Sequence, residues 1–236
     1  MIAALLALTP AEWETLWLSV QVSLLATAAV AGPGLALGWL LARREFPGKL
    51  LLDTLVHLPL VLTPVVVGYL LLLAFGRSGV FAPLLDALGV EVAFTTLGAV
   101  LAAAVVALPL VVRSVRTAVE LVDPGLEDAA AVLGAGPFRR FRTVTLPLAA
   151  PGVVAGLMLG FARSLGEFGA TITLAGSIAG ETRTLPLAIY QGTQAPGGDG
   201  AALRLTLVSV LLSGAALLAS ELVVRRLRRG SGEGQT

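Results

Sequence analysis

Few residues of this chain have side chains that could perform chemistry. Its 236 positions include one histidine and no cysteine, which excludes disulfides, thiolate metal sites and cysteine nucleophiles. The histidine, His57, follows Asp53 by four residues, and on a helix these two side chains would satisfy each other while being too few to hold a metal. The chain also lacks the Gly-x-x-x-x-Gly-Lys-Ser/Thr loop that binds ATP phosphates. We therefore predict no catalytic residue, no metal site and no cofactor.

The most informative ionisable residues are Arg163 and Glu167, which lie four apart inside an apolar segment and can pair across one helical turn. Charges within a membrane span are costly and commonly functional. Two interpretations stay open. The pair is either a structural contact between helices or a weak station for a dianion, with the hydroxyls of Ser164 and Thr171 nearby.

A second candidate feature is a kink in the apolar segment that contains Pro59 and Pro64. Each proline removes a backbone hydrogen bond and frees a carbonyl, so we predict a bent helix. Thr63 and Pro64 are therefore included among the candidate pathway residues. The alternative is a static bend that serves packing only.

The elements that must position these residues are strongly apolar. Hydrophobic residues make up 56% of the chain and charged residues 13%, and the mean hydropathy is +0.91. This composition is typical of a polytopic membrane protein. A span takes roughly 20 apolar residues, and the segments that reach this length are residues 16–42, 50–75, 94–113, 148–175 and 203–224. We expect an all-α membrane protein with five transmembrane helices, forming a single domain over residues 1–236.

The basic residues are distributed unevenly between the two sets of span ends, and short cytoplasmic loops retain positive charge. Only Arg77, Arg183 and Arg204 lie on the side with fewer basic residues. The side with more basic residues carries Arg43, Arg44, Lys49, Arg113, Arg116, Arg139, Arg140, Arg142, Arg225, Arg226, Arg228 and Arg229. This predicts an extracytoplasmic N-terminus and a cytoplasmic C-terminus. Residues 1–8 lack a basic region, so a cleaved signal peptide is not expected, and the tail from Arg225 to Arg229 is expected to contact anionic membrane lipid.

The longest predicted cytoplasmic connection is residues 114–147. Asp123 and Pro124 are typical of a helix start, and Gly134 of a helix end. A bend at Gly136-Pro137 should lead to a second short helix over residues 138–144, which Leu146-Pro147 would end before the fourth span. The alternative is an amphipathic loop lying on the membrane surface. The near balance of charges between Arg113 and Pro147 argues against nucleic acid.

Within this connection, one pattern resembles the EAA signature of the permease subunits of ABC importers. It consists of Asp128-Ala129-Ala130, then Gly134 and finally Leu146-Pro147. The resemblance implies a bundle like that of type I ABC importer permeases, in which the first short helix docks into the ATPase. The coupling residues it implies are Glu127, Asp128, Ala129, Ala130, Gly134, Leu146 and Pro147. Asp128 stands where the pattern usually has glutamate, which leaves open whether Asp128 or Glu127 makes that contact.

Three further stretches resemble molybdate permease subunits: residues 57–69, residues 161–171 with the core Gly166-Glu167-Phe168-Gly169, and residues 180–186. The resemblance implies a location in the cytoplasmic membrane, cytoplasmic ATP-binding subunits and an extracytoplasmic oxyanion-binding protein. A homodimer is expected because five helices are few to enclose a path. The function that the resemblance implies is import of molybdate, and of tungstate, by alternating access. Sulfate permeases share a related Gly-Glu-Phe-Gly core, so a sulfate or thiosulfate permease is an alternative. A proton-coupled secondary transporter using Asp53 or Glu167 and a scaffold that transports nothing are two further alternatives.

Overall fold

The computed structural model describes the backbone of residues 8–232 and the side chains of residues 8–226. The expectation about a signal peptide therefore lies almost wholly outside the described residues, as does lipid contact by the tail beyond Arg226. The described residues form helices and no strands. The helices are α1 (Pro10–Arg43), α2 (Lys49–Val61), α3 (Pro64–Phe75), α4 (Ala82–Leu88), α5 (Thr96–Glu120), α6 (Pro124–Val132), α7 (Pro137–Arg140), a π-helical segment (Phe141–Thr145), α8 (Leu146–Leu165), α9 (Gly169–Leu174), α10 (Leu185–Gln194) and α11 (Asp199–Gly232).

Four of these helical stretches are long and apolar enough to cross a membrane: α1, α5, the continuous stretch Pro137–Leu165 and Asp199–Arg226 of α11. The pair α2 and α3 supplies a fifth if both helices belong to one span, although the chain bends by 116° between them. The all-helical membrane fold is thus confirmed, with four or five candidate spans.

The bend between α2 and α3 lies at Leu62 and Thr63, next to Pro64. Thr63 is extended, with ψ of 142°, because a residue that precedes proline is disfavoured in the helical region. Pro64 then takes the first position of α3, where its missing N–H costs nothing. Pro59, by contrast, lies inside α2 without ending it. The sequence predicts a bend in this segment from both prolines, and the structure has it at Pro64 and not at Pro59.

Three helix boundaries differ from the sequence expectations. The helix expected over residues 148–175 ends at Leu165, and a break at residues 166–168 separates it from α9. The short helix expected over residues 138–144 is not ended by Leu146-Pro147, because it runs through the π-helical segment directly into α8. There the N–H of Leu146 donates to the carbonyl of Phe141, and this wider turn accommodates Pro147, which has no N–H to donate. The connection expected over residues 114–147 begins only after Glu120, where α5 ends.

The centre of the fold is α5, whose buried alanine and valine side chains contact α1 on one side and α8 on the other. Glycines allow these close approaches. A Cβ atom at Gly38 of α1 would lie 2.6 Å from Val115, and one at Gly156 of α8 would lie 2.6 Å from Ser114. The glycines at 152, 156 and 160 therefore serve close helix packing, as their spacing of four predicts. At the opposite end of α1, Glu12 pairs with Arg204 of α11 at 2.7 Å and ties the first helix to the last.

Candidate coupling segment and ion pair

We call residues 124–145, which comprise α6, α7 and the π-helical segment, the coupling segment. Asp123 precedes this segment and caps α6, because its Oδ1 accepts a hydrogen bond of 2.8 Å from the N–H of Gly125. Gly134 follows the end of α6 with φ of +83°, a left-handed conformation that side chains with a Cβ rarely adopt. Both helix boundaries are encoded locally, as the sequence predicts.

Glu127 faces the interior of the protein. Its Oε1 lies 3.1 Å from Nη2 of Arg43 in α1, and it accepts a hydrogen bond of 2.7 Å from the hydroxyl of Thr145. Arg43 also donates to the carbonyl of Val122 at 2.8 Å. Glu127 therefore fastens α6 both to α1 and to the start of the helix that continues into α8.

Asp128, the next residue, is exposed to solvent together with Ala129, while Ala130 is half-buried. Large apolar side chains are exposed farther along the coupling segment. Val132 and Leu133 are each 88% exposed and Phe138 is 75% exposed. Such a cluster is typical of a surface that contacts another protein or a membrane. Leu146 is half-buried and Pro147 exposed, and they lie at the junction with α8 rather than on this surface.

The break between α8 and α9 is built around Glu167, which is only 2% exposed. Its Oε1 accepts a hydrogen bond of 2.8 Å from the N–H of Ala170 and so satisfies a backbone donor in the first turn of α9. Its Oε2 lies 2.7 Å from Nη1 of Arg163, although the two groups are not aligned as a hydrogen bond. The predicted pairing of Arg163 with Glu167 is present, and the glutamate has a second role as a hydrogen-bond acceptor in the first turn of α9.

The start of α3 packs against the same break. A Cβ atom at Gly169 would lie 2.8 Å from Cβ of Pro64, and one at Gly68 would lie 2.7 Å from Cα of Ala170. The structure thus brings Pro64 next to the chain that carries Arg163 and Glu167.

The remaining candidate pathway residues differ in their exposure. Thr63 is exposed at the bend. Ser164 and Thr171 are 5% and 1% exposed, and the hydroxyl of Ser164 lies 3.5 Å from the carbonyl of Ala103 in α5. Both hydroxyls are enclosed by packed helices in this conformation, and neither faces an open path.

Replacing Gly68 by valine is expected to lower the thermal unfolding midpoint in detergent, because the new side chain would push α3 away from α9. Overpacking of this kind costs about 1–3 kcal/mol. Gly214→Val is the matched control, since a Cβ at Gly214 would meet nothing within 4 Å. Equal midpoints for the two variants would show that α3 and α9 are not in close contact.

A further polar cluster connects α2 with α5. Asp53 lies 3.0 Å from His57 and 3.0 Å from Arg116, and Arg116 lies 2.8 Å from Glu120. The sequence predicts the pairing of Asp53 with His57 but not the part of Arg116. Sequence reasoning also missed Arg43 and Thr145, because both contact Glu127 across long separations that no local spacing reveals.

Comparison with known proteins identifies the family. Residues 34–229 match the family described as binding-protein-dependent transport system inner membrane component. The chain belongs to this family. It is an inner-membrane transport component with several apolar helices, which confirms the multi-pass membrane location and the resemblance to importer permease subunits.

Relatives within the family carry molybdenum and sulfate in their names. The chain is 53% identical to the molybdenum transport system permease protein ModB of Escherichia coli over 95% of this chain and 99% of that protein. It is 54% identical to the protein of the same name from Haemophilus influenzae over 83% of this chain and 86% of that protein. The sulfate transport system permease protein CysT of Salmonella typhimurium is 42% identical over 66% of this chain and 57% of that protein. The resemblance to molybdate permease subunits is confirmed.

Solved structures confirm the fold. The chain superposes with a TM-score of 0.75 on a bacterial ABC transporter that imports alginate, with 19% identity over 94% of this chain and 81% of that chain. The MetNI methionine ABC transporter, in an inward-facing conformation, gives a TM-score of 0.66 with 20% identity over 96% of this chain and 97% of that chain. The bundle is therefore that of an ABC importer permease.

Proposed function

We propose that this chain is the membrane-spanning permease subunit of an ATP-driven importer of molybdate. The observation that carries the proposal is the 53% identity to the molybdenum permease of Escherichia coli over nearly the full length of both chains. The sulfate permease is less similar and matches only two thirds of this chain, so sulfate and thiosulfate are the weaker candidates. Tungstate is included as a substrate because it has the same charge and tetrahedral shape as molybdate.

The assembly that we propose has two copies of this chain, because five apolar segments are few to enclose a path for an anion. Cytoplasmic ATP-binding subunits would supply the energy, and an extracytoplasmic oxyanion-binding protein would deliver the substrate. The N-terminus would lie outside and the C-terminus in the cytoplasm, since the arginine-rich ends, including the coupling segment, would then face the ATP-binding subunits.

The coupling segment is proposed as the docking surface for the ATP-binding subunit. Asp128 is free to contact it, and the exposed Val132 and Leu133 at the end of the same helix provide apolar area. Glu127 would not make this contact, because it is engaged with Arg43 and Thr145. We therefore assign the role of the family's glutamate to Asp128 and an anchoring role to Glu127.

Movement of the coupling segment would reach the ion pair through one continuous helix. The stretch Pro137–Leu165 has 29 residues, or about 43 Å at 1.5 Å per residue. It begins in the coupling segment and contains Arg163 in its last turn. Drawing two coupling segments together on ATP binding would thus shift the break at Glu167 and open the path outward, and release after hydrolysis would return it inward.

Arg163 is proposed as a weak station for the anion. Its side chain is 30% exposed while that of Glu167 is 1% exposed, so the guanidinium is the accessible member of the pair. The carboxylate would moderate its attraction for a dianion, which must be released as well as bound. Thr63 and Pro64 at the bend, with Ser164 and Thr171, are proposed to line the path only when the helices move apart.

Removing the carboxylate of Asp128 or that of Glu127 in α6 is expected to have different effects on binding and on stability. Asp128→Ala should weaken binding of the ATP-binding subunit roughly tenfold, because a charged hydrogen bond contributes about 1.5–3 kcal/mol, and should leave the unfolding midpoint unchanged. Glu127→Ala should lower the midpoint, because it leaves Arg43 without its carboxylate. Binding by surface plasmon resonance and thermal unfolding, measured on both variants, check this. The reverse pattern would assign the docking contact to Glu127.

Substrate competition in reconstituted vesicles tests the proposed function. The purified chain, the ATP-binding subunit and the binding protein would be reconstituted, and uptake of molybdate would be measured with tungstate or sulfate in excess. We expect tungstate to suppress molybdate uptake and sulfate to leave it nearly unchanged. Suppression by sulfate alone would favour the sulfate permease instead.

A further inference from the structure

A groove of mixed character lies beside the coupling segment, where the last turns of α1 face α7 and the π-helical segment. One part of it is apolar, with a volume of about 410 Å³, and is lined by Gly32, Leu35, Ala36, Trp39, Pro137, Phe138 and Phe141. A second part, of about 220 Å³, is polar and adjoins it. Trp39, Pro137 and Phe141 line both parts, so the two form one continuous groove.

The polar part carries excess positive charge. Arg43, Arg44 and Arg140 line it together with a single carboxylate, that of Glu127. Glu127 is paired with Arg43, so within residues 8–226 the guanidinium groups of Arg44 and Arg140 have no carboxylate partner. Arg44 lies over the ring of Trp39, 5.9 Å from its centroid, which holds this cation at the border with the apolar part.

Hydrogen-bond donors in this part are also unused. The Nε–H groups of Arg43 and Arg140 are buried and have no acceptor among the described side chains and backbone. Buried donors are normally satisfied, and an unsatisfied one costs free energy. An anion with several acceptor oxygens in the polar part would satisfy such donors and offset the excess charge.

The groove lies at the depth of a membrane surface. Helix α1 has 34 residues and is about 51 Å long, which exceeds the roughly 30 Å thickness of the hydrocarbon core. Its arginine end therefore emerges among the lipid headgroups, and Trp39 is of the type that lies at this level. The apolar part, which begins at Gly32, lies toward the hydrocarbon, and the polar part lies toward the headgroups.

We propose that this groove is a binding site for one anionic phospholipid, with its phosphate among Arg43, Arg44 and Arg140 and one acyl chain along the apolar part. The arrangement of a basic pocket next to an apolar groove matches the two ends of such a lipid. Because Arg43 and Glu127 form its wall, the bound lipid would also stabilise the attachment of the coupling segment to α1. The proposal does not depend on the transported substrate.

Lipid retention by the purified protein tests the site. The protein would be purified in detergent with phosphatidylglycerol or phosphatidylcholine added, and bound lipid would be counted by native mass spectrometry. Arg44→Gln with Arg140→Gln removes two cations of the groove. Arg139→Gln with Arg142→Gln is the matched control, since it removes the same charge from exposed positions of the same segment that do not line the groove.

The groove variant is expected to retain at least about tenfold less phosphatidylglycerol, since each basic residue near lipid contributes about 1 kcal/mol. The control should retain as much as the unmodified protein, and phosphatidylcholine should not be retained. Equal loss in both double variants, or loss in neither, would overturn the proposal. Size-exclusion profiles and unfolding midpoints of both variants establish that each is folded.

A second variant separates a phospholipid from free phosphate. Ala36→Phe places a ring in the apolar part, where Ala36 is exposed, and does not touch the arginines. It should reduce retention of phosphatidylglycerol, and excess inorganic phosphate should not displace that lipid from the unmodified protein. Full retention by this variant, or complete displacement by inorganic phosphate, would mean that the site takes a phosphate and not a lipid.

Discussion

Leu133→Asp is expected to prevent the ATP-binding subunit from docking on the permease. Leu133 is 88% exposed and lies at the end of α6, the helix that carries Asp128. Burial of a leucine stabilises a contact by about 1.5–3 kcal/mol, and burial of an unpaired carboxylate costs more. Affinity should therefore fall by at least about thirtyfold, and ATP-driven uptake should fall with it. Pull-down of the ATP-binding subunit by the purified permease measures the effect.

Leu121→Asp is the matched control for this variant. Leu121 is 82% exposed and lies at the end of α5, before α6 begins, so it is not part of the coupling segment. The Leu121→Asp variant should bind the ATP-binding subunit normally. Normal binding by Leu133→Asp as well would exclude the outer surface of α6 as the docking surface.

The second large effect concerns the ion pair. Arg163→Ala alone would leave the carboxylate of Glu167 buried and uncompensated, and breaking a buried pair in this way costs about 3–5 kcal/mol. If Arg163→Ala lost uptake, the loss could then reflect either an unstable protein or a role of Arg163 in the path of the anion. The double variant Arg163→Met with Glu167→Gln removes both charges, while glutamine still offers an acceptor to the N–H of Ala170.

We expect the double variant to recover most of the unfolding midpoint lost in Arg163→Ala but to remain at least tenfold slower in molybdate uptake. A neutral pair of similar volume is often as stable as a buried ion pair. An anion-binding site without its cation, however, cannot attract the anion. Thermal unfolding and initial uptake rates, measured on the same preparations, check this. Recovery of both stability and uptake would make the pair purely structural.

Features encoded by a few neighbouring residues could be predicted from the sequence. The cap at Asp123, the glycine after α6 and the bend before Pro64 each depend on local conformational preferences. The pairing of Arg163 with Glu167 follows equally from their spacing of four along a helix. The resemblance in the coupling segment then led to the family, which the comparison confirms.

Features that depend on distant partners could not be predicted in this way. Glu127 and Asp128 are adjacent and chemically alike, and only the position of Arg43 in α1 determines that Glu127 faces inward. The segment of residues 148–175 is long and apolar enough overall to predict one span despite Arg163 and Glu167. The hydrogen bond from the N–H of Ala170 to Glu167, at the break before α9, becomes apparent only in three dimensions. The sequence also does not reveal that the coupling segment continues into α8. Leu146-Pro147 predicts a helix end, whereas the π-helical turn before it accommodates the proline.

The central claim is that ATP, bound by a separate subunit, drives an oxyanion through this permease. The most direct test is molybdate accumulation inside vesicles that contain the purified chain, with the ATP-binding subunit, ATP and the binding protein each omitted in turn. We predict that accumulation requires all three and persists when a proton ionophore removes the proton gradient. Accumulation driven by a proton gradient in vesicles without the ATP-binding subunit would contradict this account.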